Sequence, residues 1–450
     1  MVGLGQSGLA AARWLVRQGS QITISDVKKS PDVTEDILNS LVQSGVKLEL
    51  GGHKTRSFLD SDVIVVSPGV SLDIRPLAEA RKQGIPVIGE IELASRYLKT
   101  PCIAVTGTNG KSTVVNLIAE MLCKGGKRVF LGGNIGHPLT NYIGGEQKAD
   151  YVVLEVSSFQ LDTTKTFSPL IALILNVSHD HLDRYEDFTS YARSKERIFA
   201  NQGPGQILIL NDDDSWLKAL QPKNGPTVYR YGLQSNAERY AALEDGHIVA
   251  KRPGDEMIRF SLDRFALPGR HNRENLMAAI LASLALEMEP SAIQEVINHF
   301  KGLVHRIELV DTVHGIDFYN DSKATNIDAA IKSVTSFSKQ VILIAGGRDK
   351  GSDYHSLVEA VFGKVKCAVF LGESSGLLSQ AFGDKISWSL ATSMIDAVSR
   401  AFNYAQEGDV VLLAPACSSF DMFKNFEHRG AAFKEAVRSL KHSVTEKSLS

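Results

Sequence analysis

Short apolar runs recur along the chain, and each stops at a glycine-rich or polar cluster. They lie at residues 21–25, 47–50, 63–67 and 87–88, then 102–105, 151–154, 170–177 and 206–210, then 316–319, 341–345, 368–371 and 410–413. Between them the apolar positions take helical spacing, at 9–18, 114–122, 187–199 and the alanine- and leucine-rich 276–286. Runs this short and continuous read as buried strands, and their alternation with helical patterns predicts an α/β fold. The runs fall into three blocks, predicting domains at 1–92, 93–301 and 302–450. The polar clusters sit at the carboxyl ends of the strands, the edge where open α/β sheets bind ligands. The stretch 440–450 is polar and is expected to fray.

The middle block carries the most specific cluster. The run 102–105 leads into Thr106-Gly107-Thr108-Asn109-Gly110-Lys111-Ser112-Thr113, and a helical pattern leads out. Strand, glycine-rich turn, Lys-Ser-Thr and helix is the layout of a phosphate-binding loop, although two residues rather than four separate the glycines. Backbone N–H groups and the helix N-terminus favour phosphate oxygens there. Lys111 is placed to reach the terminal phosphates, and a hydroxyl of Ser112 or Thr113 to hold Mg²⁺. Glu155 ends the strand 151–154, where a nucleotide hydrolase places a further magnesium contact. His179, Asp180, His181 and Asp183 crowd the end of 170–177, with at most one histidine expected on a hard metal. Lys195 alone reads as a solvated charge. Asn272 and Asn275 stand near the start of the helix 276–286, placed to bond a base or a phosphate.

The outer blocks add two binding edges. Gly3-Leu4-Gly5-Gln6-Ser7-Gly8 opens a helix, and Asp26 ends the next strand, a fingerprint for a nucleotide diphosphate that leaves nicotinamide and sugar-nucleotide ligands both open. Only Met1 and Val2 precede the first glycine, where a central strand of four to six residues is expected, so a start upstream of Met1 is expected. In the last block Asn320-Asp321-Ser322-Lys323-Ala324-Thr325-Asn326 is dense for a plain loop. Further clusters follow at 346–351, 415–421 and 426–430.

Composition narrows the class. At 450 residues the chain exceeds one core. Its 43% hydrophobic and 22% charged residues are those of a globular protein, and a net charge of −2 gives no reason to expect a nucleic-acid or membrane partner. The four cysteines form no C-x-x-C pair, so neither a zinc site nor a disulfide frame is expected. Reduced thiols and the lack of a leader pattern point to the cytoplasm.

The stretches 105–113, 154–161, 305–306, 320–326 and 415–430 together resemble the Mur ligase family, across the whole chain apart from the missing first strand. The stretch 320–326 resembles the branch that adds D-glutamate to UDP-N-acetylmuramoyl-L-alanine. The resemblance implies three domains: a Rossmann-like UDP-sugar domain, a central ATP-binding domain with a mostly parallel sheet, and a Rossmann-like amino-acid domain. It implies a cytoplasmic, monomeric ATP-dependent ligase of peptidoglycan precursor synthesis, with two Mg²⁺ sites and an acyl-phosphate intermediate. The implied nucleotide residues are Gly107, Thr108, Asn109, Gly110, Lys111, Ser112, Thr113, Asn272, Asn275, Arg306 and Asp321. Ser112 or Thr113 with Glu155 would hold one Mg²⁺, and His181 with a carbamylated Lys195 the other. Gln6, Ser7, Asp26, Val27, Lys28, Gly69 and Asn134 would hold the UDP-sugar. Asp180, Thr325, Lys350, Ser419 and Phe426 would receive D-glutamate, and Lys323 would act on the transferred phosphate. The competing readings are a folylpolyglutamate synthase-like ligase, for which the sugar-nucleotide block is unneeded, and an NAD-dependent dehydrogenase, which leaves Lys111 unexplained.

Overall fold

The computed structural model describes residues 1–449 apart from 30, 32, 181–183, 223, 224, 237 and 350, with side chains described as far as Val444. His181 and Lys350 therefore lie outside the described residues. The chain forms two compact units. The first comprises Met1–Val177, Asp187–Leu262 and Asn275–Val296; the second comprises Ser178–Glu186, Asp263–Glu274 and Ile297–Ser450.

In the first unit, β1 (Thr23–Asp26) pairs in parallel with β2 (Lys47–Leu50), and β3 (Ile64–Val66) with β4 (Val87–Gly89). Between β1 and β3, where the sequence predicts a central strand, stands Val2. Val2 bridges both Ser25 and Val66 in parallel, with Val2 N donating to Val65 O at 2.8 Å and Gly3 N to Ser25 O at 2.9 Å. Val2 and Leu4 are each 2% exposed, but Gly3 between them turns at φ +88°, so Val2 packs with Ile64 and Val66 while Leu4 packs with Ile24 in a separate apolar cluster.

The same unit holds a nine-stranded sheet. Its strands are β5 (Cys102–Thr106), β6 (Val129–Gly133), β7 (Tyr151–Glu155), β8 (Ile171–Ile174), β9 (Ile207–Asn211), β10 (Thr227–Tyr231), β11 (Ala241–Glu244), β12 (His247–Ala250) and β13 (Ile258–Ser261). Their order is β13-β12-β11-β10-β9-β8-β5-β7-β6. The sheet is parallel from β6 to β11, and β12 and β13 add an antiparallel edge. The apolar pattern assigns no strand to β10–β13. In β10 and β13 buried and half-exposed positions mix, as in Thr-Val-Tyr-Arg-Tyr of β10, so no continuous apolar run marks those two strands.

The second unit holds a six-stranded sheet in the order β14-β15-β19-β16-β17-β18. These are Glu308–Val313, Ile316–Asn320, Val341–Ala345, Val365–Phe370, Ser387–Leu390 and Val410–Leu413 for β14 to β19. All pairs are parallel except β14 with β15. Buried apolar clusters cover both faces, which is why β16 and β19 are uninterrupted runs of Val, Ile, Leu and Ala.

Two expectations need correction. The helix expected at 276–286 begins at Arg270, so Asn272 and Asn275 lie within its first two turns rather than before it. Of the segment 440–450, expected to fray, residues 440–449 continue the helix Phe426–Leu449. Its polar residues include Lys441, whose ammonium reaches Asp311 Oδ1 at 2.8 Å. Among the described residues no helix is long and apolar enough to cross a membrane.

One buried acid has a measurable consequence. Glu90 is 2% exposed, and its Oε1 accepts from Thr140 N at 2.6 Å. Burial pushes its carboxyl from 4.5 to about 7. The folded chain thus binds this proton more tightly than the unfolded chain, so stability falls as pH rises from 4.5 to about 7. Glu90→Gln should remove that penalty, about 3 kcal/mol at most. Thermal unfolding should show a larger gain for the variant at pH 8 than at pH 5, whereas an equal gain at both would refute the assignment.

Candidate active site

All five residues of β5 are buried, as suits a strand inside its sheet between β8 and β7, and its exit is the glycine loop. Gly110 has φ +88° and begins the helix Lys111–Lys124. A Cβ there would overlap Asn275 Oδ1, so glycine is required both by the backbone and by the approach of the neighbouring helix. Lys111 Nζ curls over the loop and donates to Gly107 O at 2.7 Å and to Thr108 O at 3.0 Å. A polyphosphate in the loop would compete with those carbonyls for the same ammonium.

The carboxylate of Glu155 is 2% exposed. It stands at the end of β7, in register with Val105 of β5. Ser112 Oγ donates to its Oε2, and Asn134 Nδ2 donates to its Oε1 at 2.7 Å. A hydroxyl and a carboxylate oxygen side by side at a phosphate loop are hard oxygen donors, so the residues present fit Mg²⁺. Among the described residues no group of three or more His, Cys, Asp or Glu side chains could hold a metal ion.

Lys195 is 2% exposed rather than solvated, and its ammonium lies 4.3 Å from the centroid of the Tyr191 ring. The Tyr191 hydroxyl is 3.2 Å from Thr108 Oγ1, so one aromatic side chain connects Lys195 to the loop. A tyrosine four residues before a lysine on a helix is the only trace of this in the sequence.

Six of the seven residues expected on the UDP-sugar line one cavity of about 940 Å³: Gln6, Ser7, Asp26, Val27, Lys28 and Gly69. Asn134 does not line it and bonds Glu155 instead, although Gln6 Nε2 donates to Gly136 O at 3.4 Å in the loop that carries it. Asp26 spends both oxygens on the backbone, accepting from Leu4 N at 2.7 Å and from Lys28 N at 2.8 Å. It therefore shapes the glycine turn.

In the second unit Lys323 Nζ lies 3.8 Å from the centroid of the Phe426 ring, and Thr325 N donates to Lys323 O at 2.8 Å. Asp180 Oδ2 accepts from Asn326 Nδ2 at 2.8 Å, and Ser419 is 2% exposed. Asn272 Nδ2 donates to Pro268 O at 2.7 Å. Asp321 accepts from Ser333 Oγ, and burial raises its carboxyl to about 6 against the pull of Ser333 and Arg306. Arg306 sits between two residues with left-handed backbone, His305 at φ +64° and Ile307 at φ +45°. That conformation is costly for a β-branched residue and marks a position held by its surroundings. No glycine signals it in the sequence.

Two organising residues were not expected. Arg429, 1% exposed, donates to Ser322 Oγ and O and to the carbonyls of Gly346, Cys417 and Ser418, tying together three strand ends. Burial lowers its guanidinium to about 10. Asn176, at the exit of β8, bonds the phosphate loop.

Comparison with known proteins places this geometry. A family model described as the Mur ligase MurD-like N-terminal domain matches residues 1–89, the Mur ligase middle domain matches 105–283, and the Mur ligase glutamate ligase domain matches 305–417. A UDP-N-acetylmuramoylalanine–D-glutamate ligase of Pelotomaculum thermopropionicum is 42% identical over 443 residues, covering 98% of this chain and 97% of the relative. The chain belongs to the Mur ligase family. A second such Mur ligase, from Desulfosudis oleivorans, is also 42% identical over 443 residues, covering 98% of this chain and 96% of its own. The solved MurF ligase of Thermotoga maritima, in complex with ADP, has a TM-score of 0.63 at 16% identity over 94% of this chain and 96% of its own. The α/β fold expected from the apolar runs is thus a Mur ligase fold.

Proposed function

We propose that this Mur ligase joins D-glutamate to UDP-N-acetylmuramoyl-L-alanine at the expense of ATP, in cytoplasmic peptidoglycan precursor synthesis. The observation that carries the reading is the full-length match to ligases of that name, combined with Ser112 and Glu155 bonded at the phosphate loop. The substrate carboxylate attacks the γ-phosphate, giving an acyl phosphate and ADP. The amine of D-glutamate then attacks the acyl carbon, and phosphate leaves as the amide forms. A free carboxylate is a poor acyl donor, so ATP supplies the leaving group, and the protein supplies position and charge neutralisation.

In this reading the domains divide at 92 and 301, which the three family-model matches support. Lys111 holds the β,γ-phosphates, and Ser112 or Thr113 with Glu155 holds one Mg²⁺, which neutralises phosphate charge when bound. A second Mg²⁺ falls to His181 and a carbamylated Lys195. Asn272, Asn275, Arg306 and Asp321 hold the nucleotide, and the 940 Å³ cavity takes the UDP-sugar. Asp180, Thr325, Lys350, Ser419 and Phe426 receive D-glutamate, while Lys323 steadies the transferred phosphate. The enzyme acts as a monomer.

Phosphate release in the presence of ATP, Mg²⁺ and UDP-N-acetylmuramoyl-L-alanine tests the reading. It should depend on D-glutamate and be at least about 10²-fold slower with L-glutamate, since a site of directed hydrogen bonds rejects a misplaced group strongly. Release that prefers L-glutamate, or that requires a folate acceptor, would overturn it.

A further inference from the structure

The phosphate loop has only Thr108 and Asn109 between its glycines, yet this pair is pinned on several sides. Thr108 N donates to Asn176 O at 3.0 Å. Asn109 N donates to Asn176 Oδ1 at 2.8 Å, and Asn176 Nδ2 donates to Asn109 O at 3.0 Å. One side-chain amide thus pairs with both backbone groups of Asn109, as a neighbouring strand residue would. The Thr108 carbonyl takes the Lys111 ammonium at 3.0 Å.

Asn176 is itself held. Leu175 N donates to Thr106 O at 3.0 Å, extending the pairing of β8 with β5 by one residue. On the other side Val177 N donates to Asp214 Oδ2 at 2.8 Å, and Asp214 also caps the helix Ser215–Ala219. A Cβ on Gly107 would meet Leu175 Cβ at 3.1 Å, so the loop leans directly on this strand exit.

We infer that Asn176 is a positioning residue for ATP: its carboxamide takes the place of the two residues that a longer phosphate loop possesses and fixes the short loop in its phosphate-binding shape. The inference rests on the ATP reading given above. The side chain must donate and accept at once, so neither a carboxylate nor an aliphatic group of the same size can substitute. Two amides of the loop point at Asn176, and the position of Lys111 depends on the carbonyls those amides hold in place.

The experiment compares Asn176→Leu and Asn176→Asp with the unaltered full-length chain. ADP and UDP-N-acetylmuramoyl-L-alanine binding are measured by calorimetry, together with the kcat and KM for each substrate. Loss of both bonds should lower kcat/KM for ATP roughly 30- to 100-fold in Asn176→Leu. UDP-N-acetylmuramoyl-L-alanine binding should stay within about twofold, which also shows that the variant is folded. Asn176→Asp keeps the acceptor but sets an anionic oxygen against Asn109 O, so it should lose at least as much.

Wild-type kcat/KM for ATP in Asn176→Asp would overturn the inference. Equal losses for ATP and for the UDP-sugar in Asn176→Leu would do so as well, since that is general destabilisation. Failure of the unaltered chain to bind ADP would defeat the ATP reading itself. ADP binding that Lys111→Ala weakens and Asn176→Leu does not would defeat the inference alone.

Discussion

Lys111→Ala should reduce turnover by at least roughly 10³-fold while leaving UDP-N-acetylmuramoyl-L-alanine binding within about twofold. The ammonium is the cation nearest the loop carbonyls, donating to Gly107 O and Thr108 O, and no other described side chain carries positive charge in the loop itself. Its removal leaves the charge that builds on the leaving ADP without its ammonium partner, a cost of roughly 4 kcal/mol in the transition state. The 940 Å³ cavity proposed for the UDP-sugar is lined by residues 3–74, and Lys111 is not among them. Stopped-flow or steady-state phosphate release gives the first quantity, and calorimetry with UDP-N-acetylmuramoyl-L-alanine gives the second. Loss of UDP-sugar binding in parallel with turnover would show that the two ligands are not held separately.

Glu155→Gln should lower kcat by roughly 10²- to 10³-fold and raise the Mg²⁺ concentration needed for half-maximal rate. The substitution keeps the shape of a side chain that is 2% exposed and keeps one carbonyl oxygen for Asn134 Nδ2. It removes the negative charge beside Ser112 Oγ. Because the buried charge disappears while the packing stays, the melting temperature should not fall, and activity and stability should separate. A variant that loses activity with an unchanged Mg²⁺ dependence would place Glu155 outside the metal site.

These two residues were legible before any coordinates. A lysine following a glycine turn and an acid ending an apolar run are local patterns, and their chemistry follows from their type. Asn134 was expected only on the UDP-sugar, and its bond to Glu155 depends on β6 lying beside β7. Asp26 was assigned to a ligand by the fingerprint it completes, and the structure shows it bonding the backbone of Leu4 and Lys28. Lys195 was read from its own position as solvated, because neither the burial of its helix face nor the ring of Tyr191 beneath it is stated by the residue itself. The strands β10 and β13 were missed for the complementary reason, since a strand that mixes buried with half-exposed positions carries no continuous apolar run.

The sequence by itself determined the α/β class, the phosphate loop with its chemistry, and the resemblance to the Mur ligases. Those features reside in short windows whose residue types dictate backbone and charge. Only the tertiary structure decided which side chains meet. Ser112 reaches Glu155 and Asn176 pins Asn109 because the sheet order is β8-β5-β7-β6, which sets strands distant in sequence side by side. Strand order comes from packing two buried faces at once, and the periodicity of a single strand carries no record of its neighbours.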